Sequence, residues 1–221
     1  MPDAPHILIA DDHPLFRLAL SEAVKSAAPG CEITQTSSLD ETAGALAARG
    51  GADLVLLDLM MPGANGFSGL LYLRVERPET PVAIVSGIDD PRVIRKALHY
   101  GASGYIPKSL SPAKIAEAIA AIFDGETWVP EGTESGDEAD GGEVDFGRRL
   151  ASLSPQQFKV LRLIAEGKLN KEIAHELHLS LSTVKAHMTA LLKKLNLQRR
   201  TQILAEMQTL DLADYPRSDT L

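Results

Sequence analysis

The first 128 positions alternate short apolar runs with longer amphipathic ones. HILIA (6–10) precedes a helical stretch from Pro14 to Ala28, EITQT (32–36) one from Leu39 to Ala48, and DLVLLD (53–58) one from Phe67 to Glu76. PVAIVS (81–86) leads into a helix from Pro91 to His99, and SGYIPK (103–108) into one from Pro112 to Phe123. Short apolar runs bounded by turn residues suit strands buried on both faces, and the helical-period segments between them supply the cover. Five such pairs predict a parallel sheet with helices on both sides and right-handed crossovers. The runs at 7–9, 54–57 and 82–85 belong at its centre.

The pattern then changes twice. EGTESGDEADGGEVDFG (131–147) is acidic, rich in glycine and has almost nothing to bury, so it cannot repay its ordering entropy and predicts a flexible linker over 129–150. After it, LSPQQFKVLRLIAEG predicts a helix capped by Ser154, opened by Pro155 and ended by Gly167. Asn170 is a candidate cap for a short helix with Ile173, Ala174 and Leu177 on one face. LSTVKAHMTALLKKLN sets Val184, Met188, Leu191, Leu192 and Leu195 at helical spacing, and RRTQILAEMQ supplies a fourth helix. Short helices with short connections predict an all-α bundle over 151–212, followed by a tail at 213–221.

The 221 residues, 44% of them hydrophobic, are enough for two such cores. A net charge of −8 argues against nucleic acid until it is divided along the chain. Residues 1–128 carry 16 acids and 10 bases, residues 129–150 carry 7 and 2, and residues 151–210 carry 4 and 9. An acidic front half and a basic bundle imply two tasks, the second compatible with a phosphate backbone. Cys31 is the single cysteine, which excludes an intrachain disulfide and a thiolate metal cluster. No apolar stretch reaches the roughly 18–20 residues that span a bilayer, so a cytoplasmic protein without a membrane partner is expected.

In an open parallel sheet, ligands bind beyond the carboxyl ends of the strands. Those ends carry Asp11 and Asp12, Asp58, Ser86 with Gly87, and Lys108. An Asp-Asp pair alone could cap the helix that Pro14 opens, and a strand-end lysine is ordinarily solvated. Three carboxylates in one crevice repel one another unless a cation neutralises them, and oxygen-only ligands suit Mg²⁺. The set fits a carboxylate nucleophile receiving a phosphoryl group, with metal and ammonium neutralising its oxygens and Ser86 hydrogen-bonding one of them. Gly63 and Gly66 allow positive φ in the loop after Asp58.

Residues 1–128 resemble the receiver domain of two-component response regulators, on Asp11-Asp12, Asp58 with the following MPGANG, Ser86-Gly87 and Lys108. The resemblance implies a flavodoxin-like α/β fold with sheet order 2-1-3-4-5 and Asp58 as phospho-acceptor. It also implies Mg²⁺ held by Asp11, Asp12, Asp58 and the Met60 backbone carbonyl, and a switch pair formed by Ser86 and Tyr105. Outside that context Tyr105 would read as an interface aromatic with its hydroxyl in water. Met60 and Ile88 are apolar where a polar side chain would orient a hydrolytic water, which predicts slow loss of the phosphoryl group.

In the bundle, burying the apolar stripe of LSTVKAHMTALLKKLN leaves Lys185, Thr189 and Lys193 in line with Ala186 alongside, a narrow basic face that fits a major groove. Asn170, Lys171, Lys194, Arg199 and Arg200 are candidates for phosphate contact, although each alone is more often a solvated charge. LSPQQFKVLRLIAEG, NKEIA and STVKAHMTALLKKL resemble the LuxR-type helix-turn-helix, and the whole chain is similar to the NarL/FixJ class of response regulators. That likeness implies Lys185, Ala186 and Thr189 as base readers and a dimer contact on the last helix through Ile203, Leu204 and Met207. Its implied partners are a sensor histidine kinase, double-stranded promoter DNA, RNA polymerase and a second copy of the chain. A regulator rather than an enzyme is expected, with self-phosphorylation and self-dephosphorylation as its only chemistry. Two alternatives stay open, a Mg²⁺-dependent phosphotransfer relay with a protein-binding bundle and a regulator that works without phosphate. Asp58-Leu59-Met60 lacks the second acid of haloacid-dehalogenase-type phosphatases, which counts against turnover. His175 and His178 do not match the zinc-protease spacing and read as ordinary helix residues.

Overall fold

The computed structural model describes residues 4–64, 66–133, 146–147, 149–150, 152–208 and 210. Five strand–helix pairs alternate: β1 (His6–Ala10), α1 (Pro14–Ala27), β2 (Glu32–Thr36), α2 (Leu39–Arg49), β3 (Leu54–Leu57), α3 (Ser68–Glu76), β4 (Val82–Ser86), α4 (Pro91–His99), β5 (Gly104–Pro107) and α5 (Pro112–Phe123). All neighbouring strands run parallel, in the order β2-β1-β3-β4-β5. The expected elements are present to within a residue or two. Asp53, Asp58 and Lys108 lie just outside their strands.

The twofold period of the strands divides the core in two. Ile7, Ile9, Leu54, Leu56, Ala83, Val85 and Ile106 face α1 and α5, where they meet Leu20, Val24, Ile115 and Ile119. Leu8, Ala10, Val55, Leu57, Val82, Ile84 and Tyr105 face the opposite way, toward Leu39, Leu46, Leu70, Val93 and Ile94. Local chemistry starts the helices. Ser38, Asp90 and Ser111 each accept a backbone N–H of the first turn, and Pro14, Pro91 and Pro112 open α1, α4 and α5. After α5 the chain returns along β5, where Tyr105 N–H donates to the Trp128 carbonyl at 2.9 Å.

The C-terminal helices are α6 (Pro155–Ala165), α7 (Asn170–Glu176), α8 (Leu181–Leu195) and α9 (Arg200–Gln208). Ser154 and Gln157 form a reciprocal capping box at α6, and Ser180 caps α8. Asn170 differs from expectation. It is the first residue of α7 rather than its cap, and its side chain accepts a hydrogen bond from Arg200 at 3.0 Å.

The second sheet face does not stop at the receiver-like half. Its apolar core continues through α3 into Phe158, Leu161 and Ile164 of α6, and Tyr72 packs on Phe158 with ring centroids 5.7 Å apart. Arg162 pairs with Asp40 at 2.6 Å and Lys159 with Glu76 at 3.2 Å, while Phe67 N–H donates to the Leu210 carbonyl at 3.1 Å. Residues 134–145 of the expected linker and the tail at 213–221 lie outside the described residues. The far end of the expected linker needs a correction, because Phe146 and Leu150 are buried in the shared core. Their acidic, glycine-rich surroundings conceal them in the sequence. No helix among the described residues is long and apolar enough to cross a membrane.

Candidate functional site

The carboxyl ends of β1, β3, β4 and β5 deliver their side chains to one crevice. Asp58 follows β3 directly, with its N–H donating to the Ala10 carbonyl at 2.8 Å, so the sheet register places it beside Asp11. Asp11 and Asp58 are 1% and 2% exposed. Lys108 Nζ lies between them, 2.6 Å from Asp11 Oδ2 and 3.0 Å from Asp58 Oδ2, and 4.7 Å from the centre of the Phe16 ring. Two buried carboxylates therefore share one ammonium. Burial raises the Asp58 pKa above the ordinary carboxylate range, Lys108 opposes that shift, and Asp11 adds to it.

The remaining oxygens identify where a cation belongs. Asp12 Oδ1 is buried without a hydrogen-bond partner, while Asp11 Oδ2 is taken up by Lys108. One ligand atom from each of Asp11, Asp12, His13 and Asp58 lies within 4.8 Å of the others. Hard oxygen donors at this separation fit a Mg²⁺-sized ion. Met60 N–H donates to Asp58 Oδ1 at 3.2 Å, which ties down the start of the loop whose carbonyl is a candidate ligand. Gly63 and Gly66 take φ of 81° and 59°, which lets the loop turn back beside the crevice.

Ser86 and Tyr105 meet at residue 88. Ser86 Oγ accepts the Ile88 N–H at 3.2 Å, and the Tyr105 hydroxyl donates to the Ile88 carbonyl at 2.5 Å. Tyr105 is wholly buried, so its hydroxyl is not in water, and that burial pushes the phenol pKa upward. Ile88 is buried and Met60 half-buried, so both apolar neighbours of the crevice are in place.

Sequence reasoning missed three groups here. His13 stands in the sequence only as the residue before Pro14, yet its Nδ1 lies among the acids. Phe16 and Arg17 stand one turn further along α1, the first beneath Lys108 and the second donating to the Asp11 carbonyl. Leu15 and Leu18, 83% and 60% exposed, give α1 an apolar outer face beside the crevice mouth. Helical periodicity from Asp12 onward is the signal that would have found them.

The second site is on α8. Val184, Leu191 and Leu195 are buried and Met188 and Leu192 half-buried, while Lys185, Ala186, Thr189 and Lys193 are exposed. The Thr189 hydroxyl bonds back to the Lys185 carbonyl at 3.1 Å. Lys171 and Arg199 are exposed. Asn170 and Arg200 are engaged with each other, and Arg200 also donates to the Lys168 carbonyl. Lys194 is held by the Ser152 carbonyl and Gln157. Ile203 is fully buried in the chain's own core and has no surface to offer a second copy in this arrangement, whereas Leu204 and Met207 stay half-exposed. His175 is an exposed residue of α7, whereas His178, expected in a helix, is an exposed turn residue beyond its end with φ of 52°.

Residues 7–120 match the family model described as "Response regulator receiver domain", and residues 151–207 the model "Bacterial regulatory proteins, luxR family". The chain is 38% identical over 217 residues to the "Glycerol metabolism activator" of Pseudomonas putida, covering 96% of this chain and 98% of that one. It is 33% identical over 198 residues to the "Nitrate/nitrite response regulator protein NarL" of Escherichia coli K12, covering 89% and 91%. Among solved structures, a LuxR family DNA-binding response regulator from Silicibacter pomeroyi matches with a TM-score of 0.51 at 32% identity, over 57% of this chain and 98% of that one. RcsB from Salmonella enterica shares the fold with a TM-score of 0.54 at 21% identity, over 94% and 100%.

Proposed function

Because the chain belongs to the response regulators that join a receiver domain to a luxR-family DNA-binding domain, we propose that Asp58 accepts a phosphoryl group from a sensor histidine kinase and so governs dimeric binding to promoter DNA. One observation carries this: Asp11 and Asp58 converge on Lys108 at the strand ends, while a helix of the other domain presents Lys185, Ala186, Thr189 and Lys193 to solvent. We assign residues 1–128 to the receiver, 129–150 to the connection, 151–212 to the DNA-binding domain and 213–221 to a tail.

In the transfer, an Asp58 oxygen attacks phosphorus in line. An O–P bond forms, the P–N bond to the kinase imidazole breaks, and its electron pair leaves with the imidazole nitrogen. Mg²⁺ held by Asp11, Asp12, Asp58 and the Met60 carbonyl would neutralise charge on the phosphoryl oxygens. Lys108 moves its ammonium from Asp58 to one of those oxygens, and Ser86 donates its hydroxyl to another. The kinase must bring its phosphohistidine to the crevice mouth, where exposed Leu15 and Leu18 suit an apolar helix face. Small amounts of self-phosphorylation from low-molecular-weight donors and slow self-dephosphorylation are the only chemistry of the chain. Met60 and Ile88 offer no side chain to orient a hydrolytic water, so the phosphoryl group lasts for minutes or longer; a lifetime of seconds contradicts this.

Rearrangement of Ser86, Tyr105 and the loop from Leu59 to Phe67 then loosens the bundle docked on α3. The released domain pairs with a second copy and recruits RNA polymerase at the promoter. The full-length likeness to an activator supports activation. The test is salt-dependent binding of genomic fragments by the full-length protein, treated with acetyl phosphate and Mg²⁺ and compared with Asp58→Ala and Lys185→Ala. Lys185→Ala should weaken binding by about 1–3 kcal/mol and shrink the salt slope by about one. Failure of the parent to bind any duplex in a salt-dependent way would overturn the proposal.

A further inference from the structure

The crevice contains a nitrogen donor that an oxygen-only metal site does not need. His13 is the N-cap residue of α1, but its side chain makes no capping hydrogen bond. Its Nδ1 lies 2.8 Å from Asp12 Oδ1 and 3.4 Å from Asp11 Oδ1. The 2.8 Å approach to Asp12 Oδ1 is an ion-pair distance without hydrogen-bond geometry. Asp11 Oδ2, on a side chain 1% exposed, is turned to Lys108 Nζ at 2.6 Å, which leaves Oδ1 on the side of His13.

An unprotonated Nδ1 facing a carboxylate oxygen at this distance needs a positive partner between the two. Adjacent ligands of an octahedral ion at about 2.1 Å stand roughly 3 Å apart, the spacing seen between His13 Nδ1 and the two aspartate oxygens. Asp58 completes the group, all four ligand atoms lying within 4.8 Å of one another. His13 is 66% exposed at the crevice mouth, where its ring can turn without disturbing the core.

We propose that His13 Nδ1 is a ligand of the cation bound by Asp11, Asp12 and Asp58, and that it gives the site a preference for first-row transition ions over Mg²⁺. The inference rests on the cation-binding part of the proposed function. Carboxylates and carbonyls suit Mg²⁺, whereas an imidazole adds more affinity for Fe²⁺, Co²⁺, Ni²⁺ and Zn²⁺ than for Mg²⁺. His13 thereby acts as a specificity-determining residue, so the identity of the occupying ion depends on which cations are available.

The experiment is calorimetric titration of the full-length protein with Mg²⁺ and with Co²⁺, for the parent, His13→Asn, His13→Ala and Asp11→Asn. Proton NMR of the Co²⁺ form accompanies it. The parent should show a hyperfine-shifted imidazole N–H signal that exchanges in D₂O, absent from both His13 variants and from Asp11→Asn. Co²⁺ affinity should fall by about tenfold or more in the His13 variants, while Mg²⁺ affinity stays within about twofold. Asp11→Asn should weaken both ions. Survival of the shifted signal in the His13 variants, or equal losses for the two ions, overturns the assignment of His13 while leaving the acidic site intact. Unchanged binding of both ions in Asp11→Asn would instead remove the cation site itself. His13→Asn retains a good helix N-cap, so it separates loss of the ligand from loss of the fold.

Discussion

Residue 88 is held at both ends of its backbone by the two side chains assigned to the switch. Ser86 Oγ accepts its N–H at 3.2 Å, and the Tyr105 hydroxyl donates to its carbonyl at 2.5 Å, with all three residues buried. Tyr105→Phe leaves that carbonyl without its partner in a place water does not reach, a loss of about 1–3 kcal/mol. Ser86→Ala strands the N–H at a similar cost. Both bonds restrain one short segment, so once either is gone the segment relaxes and the second loss costs less. The double variant should therefore fall short of additivity by at least about 0.5 kcal/mol. Equilibrium urea unfolding of the full-length, metal-free protein measures this, with Trp128 as the probe. It is the single tryptophan, and its carbonyl accepts from Tyr105 N–H at 2.9 Å, so its emission follows the receiver half. In a thermal scan Tyr105→Phe should melt about 2–12 °C below the parent, at about 2–4 °C per kcal/mol for a chain of this length. Additivity within about 0.3 kcal/mol would refute the idea that the pair acts through residue 88.

Three further outcomes follow from the same geometry. In metal-free protein, Asp58→Asn should be more stable than the parent at neutral pH. The folded-state pKa of Asp58 is raised, so its stabilising effect is complete below the ordinary carboxylate range and is lost as pH rises through the folded value. Thermal melts in chelator should show the gap closing as pH is lowered, and a gap that widens toward acid would contradict the shift. Gly104→Ala places a Cβ against Ile122 Cδ1 and 2.9 Å from the Trp128 carbonyl, so it should cost about 1–3 kcal/mol and perturb Trp128 emission. Arg162→Ala removes the 2.6 Å pair with largely exposed Asp40, so stability should fall by less than about 1 kcal/mol. Small-angle scattering should nevertheless show a larger radius of gyration as the docked halves loosen, and an unchanged profile would count against the pair as a latch.

The sheet was legible because its strands are continuous apolar runs, and a parallel sheet covered on both faces leaves few other arrangements for them. The acids were legible because Asp11, Asp12 and Asp58 occupy strand ends, where sequence position predicts spatial convergence. His13 was not, since a histidine before a proline says nothing of which way its ring turns. The pairing of Asn170 with Arg200 was hidden for a related reason. Thirty residues separate them, and no local pattern announces that the two will meet across the bundle. Phe146 and Leu150 were hidden by composition, because burial in a shared core is decided by distant partners such as those on α3 and α6.

The way the halves meet constrains how phosphate at Asp58 can control DNA binding. Docking uses α3, Asp40 and Glu76 on one side and Phe158, Lys159 and Arg162 of α6 on the other. None of Lys185, Ala186, Thr189 or Lys193 is covered, so masking of the reading face is not what this arrangement provides. The restrained element is α9. Ile203 is committed to the chain's own core, and Leu210 just beyond the helix is bonded to Phe67, at the end of the loop that begins at Asp58. Leu204 and Met207, the half-exposed candidates for contact with a second copy, lie between those two anchors. Movement of the Leu59–Phe67 loop therefore bears on pairing more directly than on base reading. Phosphorylation should accordingly change cooperativity on paired half-sites far more than affinity for a single one, and gel-shift titrations on the two kinds of duplex distinguish these effects.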